Sequence, residues 1–205
     1  PETGYWGGGQ PANSAVDKIT YSNDTTVRVP TANLNYDPTY VSAAGDGASG
    51  YFAGGNASGS VNTVDKLSYS ADTTSLVPGA NLTQARYGIG AVSNSAHGYF
   101  SGGTQDPGTS SLTDKITFAT DTTSEVPGAA LSIARMYTTA TGNTTAGYIG
   151  GGYSPAASPN RVTTVDKLTY ATDTTAQVPG ASLSTNLRGA GAAGNADQGY
   201  FTGGE

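Results

Sequence analysis

A chain of 205 residues is long enough for one domain with a real core and short for two. Only 12% of the residues are charged and the net charge is −6, so no basic surface offers counterion release, and neither nucleic acid nor an anionic membrane is expected as a partner. Cysteine is absent, which removes disulfides, thiolate nucleophiles and Cys-ligated zinc together. Glycine and proline supply 40 residues, below the share of about 25–30% at which aperiodic sequence of this kind stays disordered, so the chain should fold. No apolar run approaches the roughly 18–20 residues of a membrane helix, and no membrane insertion is expected.

Taken from the N-terminus, the chain repeats one pattern. The first repeat, residues 4–49, opens on Gly4-Tyr5-Trp6 and a run of glycines. A short loop at 10–15 follows, then the segment Asp17-Lys18-Ile19-Thr20-Tyr21, the turn Asp24-Thr25-Thr26, and Pro30. The second repeat, 50–97, runs through Gly50-Tyr51-Phe52, a loop at 56–63, Asp65-Lys66-Leu67-Ser68-Tyr69, Asp72-Thr73-Thr74 and Pro78. The third, 98–146, has Gly98-Tyr99-Phe100, a loop at 104–112, Asp114-Lys115-Ile116-Thr117-Phe118, Asp121-Thr122-Thr123 and Pro127. The fourth, 147–198, has Gly147-Tyr148-Ile149, a loop at 153–164, Asp166-Lys167-Leu168-Thr169-Tyr170, Asp173-Thr174-Thr175 and Pro179. Residues 199–205 open a fifth copy with Gly199-Tyr200-Phe201 and go no further. The starts are spaced by 46, 48, 49 and 52 residues, a period that belongs to arrays of supersecondary units.

No segment carries apolar residues at helical spacing, so each unit reads as four short strands. In the second unit they are expected near 64–70, 75–77, 87–93 and 98–101. Adjacent strand residues point to opposite faces, so Tyr51 and Phe52, like Tyr5 and Trp6, Tyr99 and Phe100, or Tyr200 and Phe201, put a ring on each side of their sheet. Tyr148 has Ile149 in the second place. Both faces of every sheet must then be covered, and stacking successive sheets around an axis, as in a propeller, does this. The surplus glycine strand implies either a longer array or a strand free to pair with another copy.

The repeats resemble the kelch family, in which a hydrophobic strand ends in a double glycine and an aromatic-ending strand, a turn, a proline and an arginine follow. Gly102-Gly103, Phe118, Pro127 and Arg135 stand in that order, and Arg86-Tyr87-Gly88 lies at the corresponding place one repeat earlier. The family's late tryptophan is replaced near Leu76, Glu125 and Gln177, Pro38 occupies the first arginine position, and Arg188 is displaced by one residue. The resemblance implies an all-β, kelch-like β-propeller of about four four-stranded blades of ~50 residues. The Gly-Tyr-Phe, Asp-Thr-Thr and Val-Pro-Gly-Ala phrases are similar to kelch-like arrays in structural and tail-fibre proteins of marine and cyanobacterial phages. This implies a non-enzymatic scaffold or receptor-binding module in a virion fibre or extracellular appendage. Its expected partners are further copies, a larger assembly, or a glycan or protein receptor.

The loop after the double glycine varies most in length, and its residues Tyr153, Arg161, Asn56 and Asp106 are the candidate binding groups. The repeated Asp17, Asp65, Asp114 and Asp166 are expected to accept hydrogen bonds inside their own units rather than to ring a cation. The turn aspartates are expected to bond nearby backbone N–H groups. His97 is the only histidine, so no His-based triad or zinc site can be assembled, and no cofactor or metal is expected. A lectin-like glycan-binding domain is the second reading, and a carboxylate-dependent glycosidase the third.

Overall fold

The computed structural model describes residues 2–205. Seventeen strands form five antiparallel sheets, and four 3-10 turns are the only helical elements among the described residues. The first sheet has three strands, β1 (Thr3–Gly7), β2 (Val16–Thr20) and β3 (Thr25–Arg28). Three four-stranded meanders follow. They are β4 (Ser42–Gly45), β5 (Ser49–Ala53), β6 (Val64–Ser68) and β7 (Thr73–Leu76); β8 (Gly90–Ser93), β9 (His97–Ser101), β10 (Thr113–Thr117) and β11 (Thr122–Glu125); and β12 (Thr139–Gly142), β13 (Ala146–Gly150), β14 (Val165–Thr169) and β15 (Thr174–Gln177). The fifth sheet is the pair β16 (Gly191–Gly194) and β17 (Gly199–Thr202). Of the four strands expected for the second unit, two fall in the second sheet as β6 and β7 and two in the third as β8 and β9, with β7 starting earlier and β8 later than the alternation places them. β16 pairs with β17 and not with β1, so the first sheet is not completed by the end of the chain.

The second and third sheets bury rings on both sides. Tyr51 stacks on Phe118 of the next sheet, with centroids 4.9 Å apart, while Phe52 lies on the preceding sheet, where a Cβ added at Gly7 would sit 2.9 Å from its Cε1. The stacking recurs as Tyr5 on Tyr69 and Tyr99 on Tyr170, both at 5.2 Å. Three core clusters occupy the spaces between neighbouring sheets. Burial of one such ring is worth about 1.5–3 kcal/mol, and the recurrence of the rings gives the stack its cohesion.

The innermost strands β4, β8, β12 and β16 lie side by side. A backbone chain crosses their leading ends: Gly88 N–H donates to Tyr40 C=O at 3.3 Å, Tyr137 to Gly88 at 2.7 Å, and Gly189 to Tyr137 at 2.9 Å. All four residues have positive φ, between 54° and 64°.

Inside the sheets, Asp65, Asp114 and Asp166 are fully buried, and each accepts from the segment leading into its own sheet. Asp114 takes Arg86 Nη2 at 2.7 Å, Thr83 Oγ1 at 2.6 Å and Thr83 N–H at 3.2 Å. Asp166 takes the Ser132 N–H at 3.0 Å with Arg135 Nη1 3.1 Å away. Where Pro38 replaces the arginine, Asn35 offers Asp65 its backbone N–H and its side-chain amide, at 2.9 and 2.5 Å. Asp17 of the first sheet is exposed, because the segment that would cover it is not in that sheet. Burial works against the Arg86 charge and Asp114 offsets it, so removing the acid leaves a buried cation unpaired. Asp114→Ala should therefore cost about 3–5 kcal/mol in urea unfolding, and the double change Arg86→Met with Asp114→Leu should cost less.

Candidate binding face

Two ends of the sheet stack differ in chemistry. At one end lie the tight turns between the second pair of strands in each sheet, and there the repeated charges meet. Lys18 Nζ and Tyr5 Oη of the first sheet converge on Asp72 of the second at 2.8 and 2.6 Å. Lys66 and Tyr51 hold Asp121 of the third at 2.9 and 2.5 Å, and Lys115 and Tyr99 hold Asp173 of the fourth at 2.5 and 2.7 Å. These turn aspartates have φ near 52°, a region that Asp tolerates better than most residues. Contrary to the expectation of local turn bonds, their carboxylates accept only from the preceding sheet. The left-handed backbone turns the side chain outward, where a neighbour can reach it. Burial pushes each of the three carboxyls up, but the lysine and tyrosine donors outweigh it and leave them below the usual range. Burial and Asp121 together push the Tyr51 hydroxyl up to about 12.

At the opposite end the glycine-strand loops emerge beside the leads into β4, β8 and β12. Asn56, Thr104 and Tyr153 occupy one repeat position, each bridging its own loop and the strand lead next to it. Tyr153 and Arg161 are brought together: they line a hollow of about 350 Å³ with Pro159, Asn160, Asn186 and Arg188. The Arg188 guanidinium lies 5.6 Å above the Tyr153 ring, and Asn160 Nδ2 donates to its hydroxyl at 3.3 Å. Asp106 is not part of that hollow and sits in a separate depression with Gln84 and Gln105. Asn56 is occupied by its own loop, accepting from the Gly59 N–H at 3.0 Å.

The sequence reading passed over three rings at this end. Tyr40, Tyr87 and Tyr137, from three successive repeats, lie within 5.2–6.3 Å of one another by ring centroids. Burial, Tyr87 and Tyr40 push the Tyr137 hydroxyl up, and Arg188 draws it partly back, which ties the cluster to the hollow around Tyr153. The signal available was a tyrosine recurring shortly before the inner strand in three repeats, Tyr40, Tyr87 and Tyr137. The structural residues Tyr99, Phe100 and Phe52 are buried as the alternation requires, whereas Trp6 and Tyr200 in the outermost sheets are 59% and 60% exposed.

His97 starts β9 with its ring 6.2 Å from Tyr99. Among the described residues no three His, Asp or Glu side chains are grouped as metal ligands.

The arrangement defines an all-β protein of stacked four-stranded antiparallel sheets. It is similar in fold to the solved structure of YjhT, with a TM-score of 0.81 over 99% of this chain and 69% of that one, at 15% identity. No family model matches the sequence, and no curated protein matches it.

A carboxyl whose pKa is lower folded than unfolded adds stability above its unfolded value of about 3.9, and the contribution goes as pH falls through the folded value. Urea unfolding followed from about pH 7 to pH 3 should therefore show stability falling off below about pH 4. The triple variant Asp72→Asn, Asp121→Asn, Asp173→Asn should start lower at neutral pH and fall less steeply.

Proposed function

We propose that the chain is a kelch-like propeller segment acting as a non-enzymatic scaffold and receptor-binding module of a virion fibre or other extracellular appendage. The observation that carries this reading is a division of labour along the sheets. Residues that recur from unit to unit brace a sheet from within or join it to the next, while residues that differ between units gather at one end, where Arg188 also donates to Glu205 Oε1 at 2.7 and 3.1 Å. There the Tyr153 ring, the Arg161 and Arg188 guanidinium groups and the Asn160 and Asn186 amides line one hollow, beside the three-tyrosine cluster. A flat ring flanked by planar donors suits a sugar ring or a peptide. The aspartates that recur from unit to unit are engaged in structure: Asp65, Asp114 and Asp166 lie buried with their donors, and Asp72, Asp121 and Asp173 in cross-sheet pairs.

A glycan-binding role is the reading favoured by the hollow itself, since no catalytic pair of free carboxylates lines it. A glycan array probed with the purified chain tests it. The expected outcome is selective binding that Tyr153→Ala and Arg188→Ala each weaken about tenfold, the equivalent of about 1.4 kcal/mol, with little change in melting temperature. Binding that survives both changes would remove the hollow from the proposal. Hydrolysis of any bound polysaccharide would remove the non-enzymatic reading.

A further inference from the structure

The fourth sheet ends in a half-built junction. At the three junctions before it, one sheet offers a tyrosine ring, a lysine and a 3-10 turn, and the next sheet fills all of them. Its aromatic ring stacks on the tyrosine, its turn aspartate takes both donors, and its backbone closes over the turn. Ala32, Ala80 and Ala129 of the first three turns are fully buried. A Cβ added at Gly79 would meet Asp121 C=O at 2.9 Å, and one at Gly128 would meet Asp173 C=O at 3.1 Å. At the fourth turn, Pro179–Ala181, Ala181 is exposed and Gly180 has no neighbour within 4 Å of such an atom. Tyr148 and Lys167 carry no carboxylate, and the Lys167 ammonium rests 5.9 Å from the Tyr148 ring centre. A groove of about 310 Å³ runs past Tyr148, Val165 and Ala181.

The first sheet carries the missing half. Asp24 has the same left-handed φ, 53°, as Asp72, Asp121 and Asp173. Asp24 and Tyr21 are both exposed, Tyr21 at 54%.

We propose that the open side of the fourth sheet receives the first sheet of a second copy of this chain, with β17 holding the place of that copy's β1. The inference deepens the scaffold reading by naming its partner. β16 would pair with the incoming β1 in the register it now makes with β17, Ala192 opposite Trp6 in place of Phe201. Trp6 would then cover Gly150, where Phe201 now lies 2.9 Å from an added Cβ. Tyr148 stacks on the partner copy's Tyr21, and Lys167 with the Tyr148 hydroxyl takes its Asp24. Ser184, the counterpart of Asn35, Thr83 and Ser132, meets its exposed Asp17. The resident strand is a weak competitor: Gly199, Tyr200 and Thr202 are all exposed, whereas the equivalent residues of β9 are buried.

Sedimentation velocity on the 205-residue chain, from about 1 µM to 1 mM, reads the association. Removing residues 199–205 frees β16 and should tighten head-to-tail association at least tenfold. Asp24→Lys and Lys167→Asp, each made in the full chain, should each weaken it by a similar factor without moving the melting temperature, because both residues lie outside the completed junctions. Each variant alone sets like charges against each other at the junction. Mixing the two should restore association in one-to-one proportion, since every junction between unlike chains then brings opposite charges together. A truncated chain that stays monomeric throughout, or a charge-variant mixture that does not associate when the wild type does, overturns the proposal. Association that ignores both charge changes also overturns this interface, yet leaves a self-assembling scaffold standing. Glycan binding by a strictly monomeric chain likewise separates the two readings.

Discussion

One cross-sheet contact governs how the units add up: a tyrosine hydroxyl and a lysine ammonium from one sheet meeting an outward-turned aspartate of the next. Its energy is modest. The lysines and aspartates retain 20–35% of their side-chain exposure, and ion pairs in such settings contribute about 0.2–1 kcal/mol. The aromatic stacking beneath them contributes more, but stacking alone tolerates sliding. The clamp fixes which residue of one sheet lies against which residue of the next. It also has a direction, because donors and acceptor are never on the same side of a sheet. Every completed sheet therefore gives in one direction and receives from the other, and an array built this way has two unlike ends.

The buried Arg86 and Asp114 pair serves a different purpose. It ties the lead-in segment to the third strand of the same sheet, so that a unit is internally braced before it meets its neighbour. The second sheet does this without an arginine. Pro38 removes the cation, and Asn35, three residues earlier, supplies two hydrogen bonds to Asp65. A neutral donor meeting the carboxylate shows that what is required is satisfied acceptor oxygens, with the charge of the donor secondary.

Much of this was legible in the sequence. The repeat period, the strand positions and the rings on both faces follow from spacing and from the two-residue alternation of a strand, neither of which depends on distant contacts. The in-sheet acceptance by Asp65, Asp114 and Asp166 was legible for the same reason, as a residue recurring in every unit acts within the unit. The role of Asp72, Asp121 and Asp173 was hidden, because Asp-Thr-Thr reads as a local turn and nothing in the string reports the sign of φ. Nor could it show that Lys18, pointing away from Asp17, finds an acid 54 positions later. Tyr153 and Arg161 belong to one loop and were found together. Arg188, far along the same repeat, reaches the hollow from the lead into β16, and that convergence depends on how the inner strands line up.

The inner-strand leads pose the sharpest physical question. The position with φ near 54–64° is held by glycine in two repeats and by tyrosine in two. A non-glycine residue there costs about 1–2 kcal/mol, and the backbone hydrogen bond that crosses from repeat to repeat is made by Gly88 and Gly189 as well. The backbone therefore gains nothing from Tyr40 or Tyr137. Contacts within the ring cluster return about 0.5–1.5 kcal/mol per pair, which offsets the strain without exceeding it by much, and they do so on a face where Tyr40 stays 43% exposed. A strained, half-exposed aromatic group that the fold does not require is the pattern expected of a surface kept for contact with something else. It lies at the same end as the hollow that Tyr153 and Arg188 build, and away from the clamps that hold the sheets together.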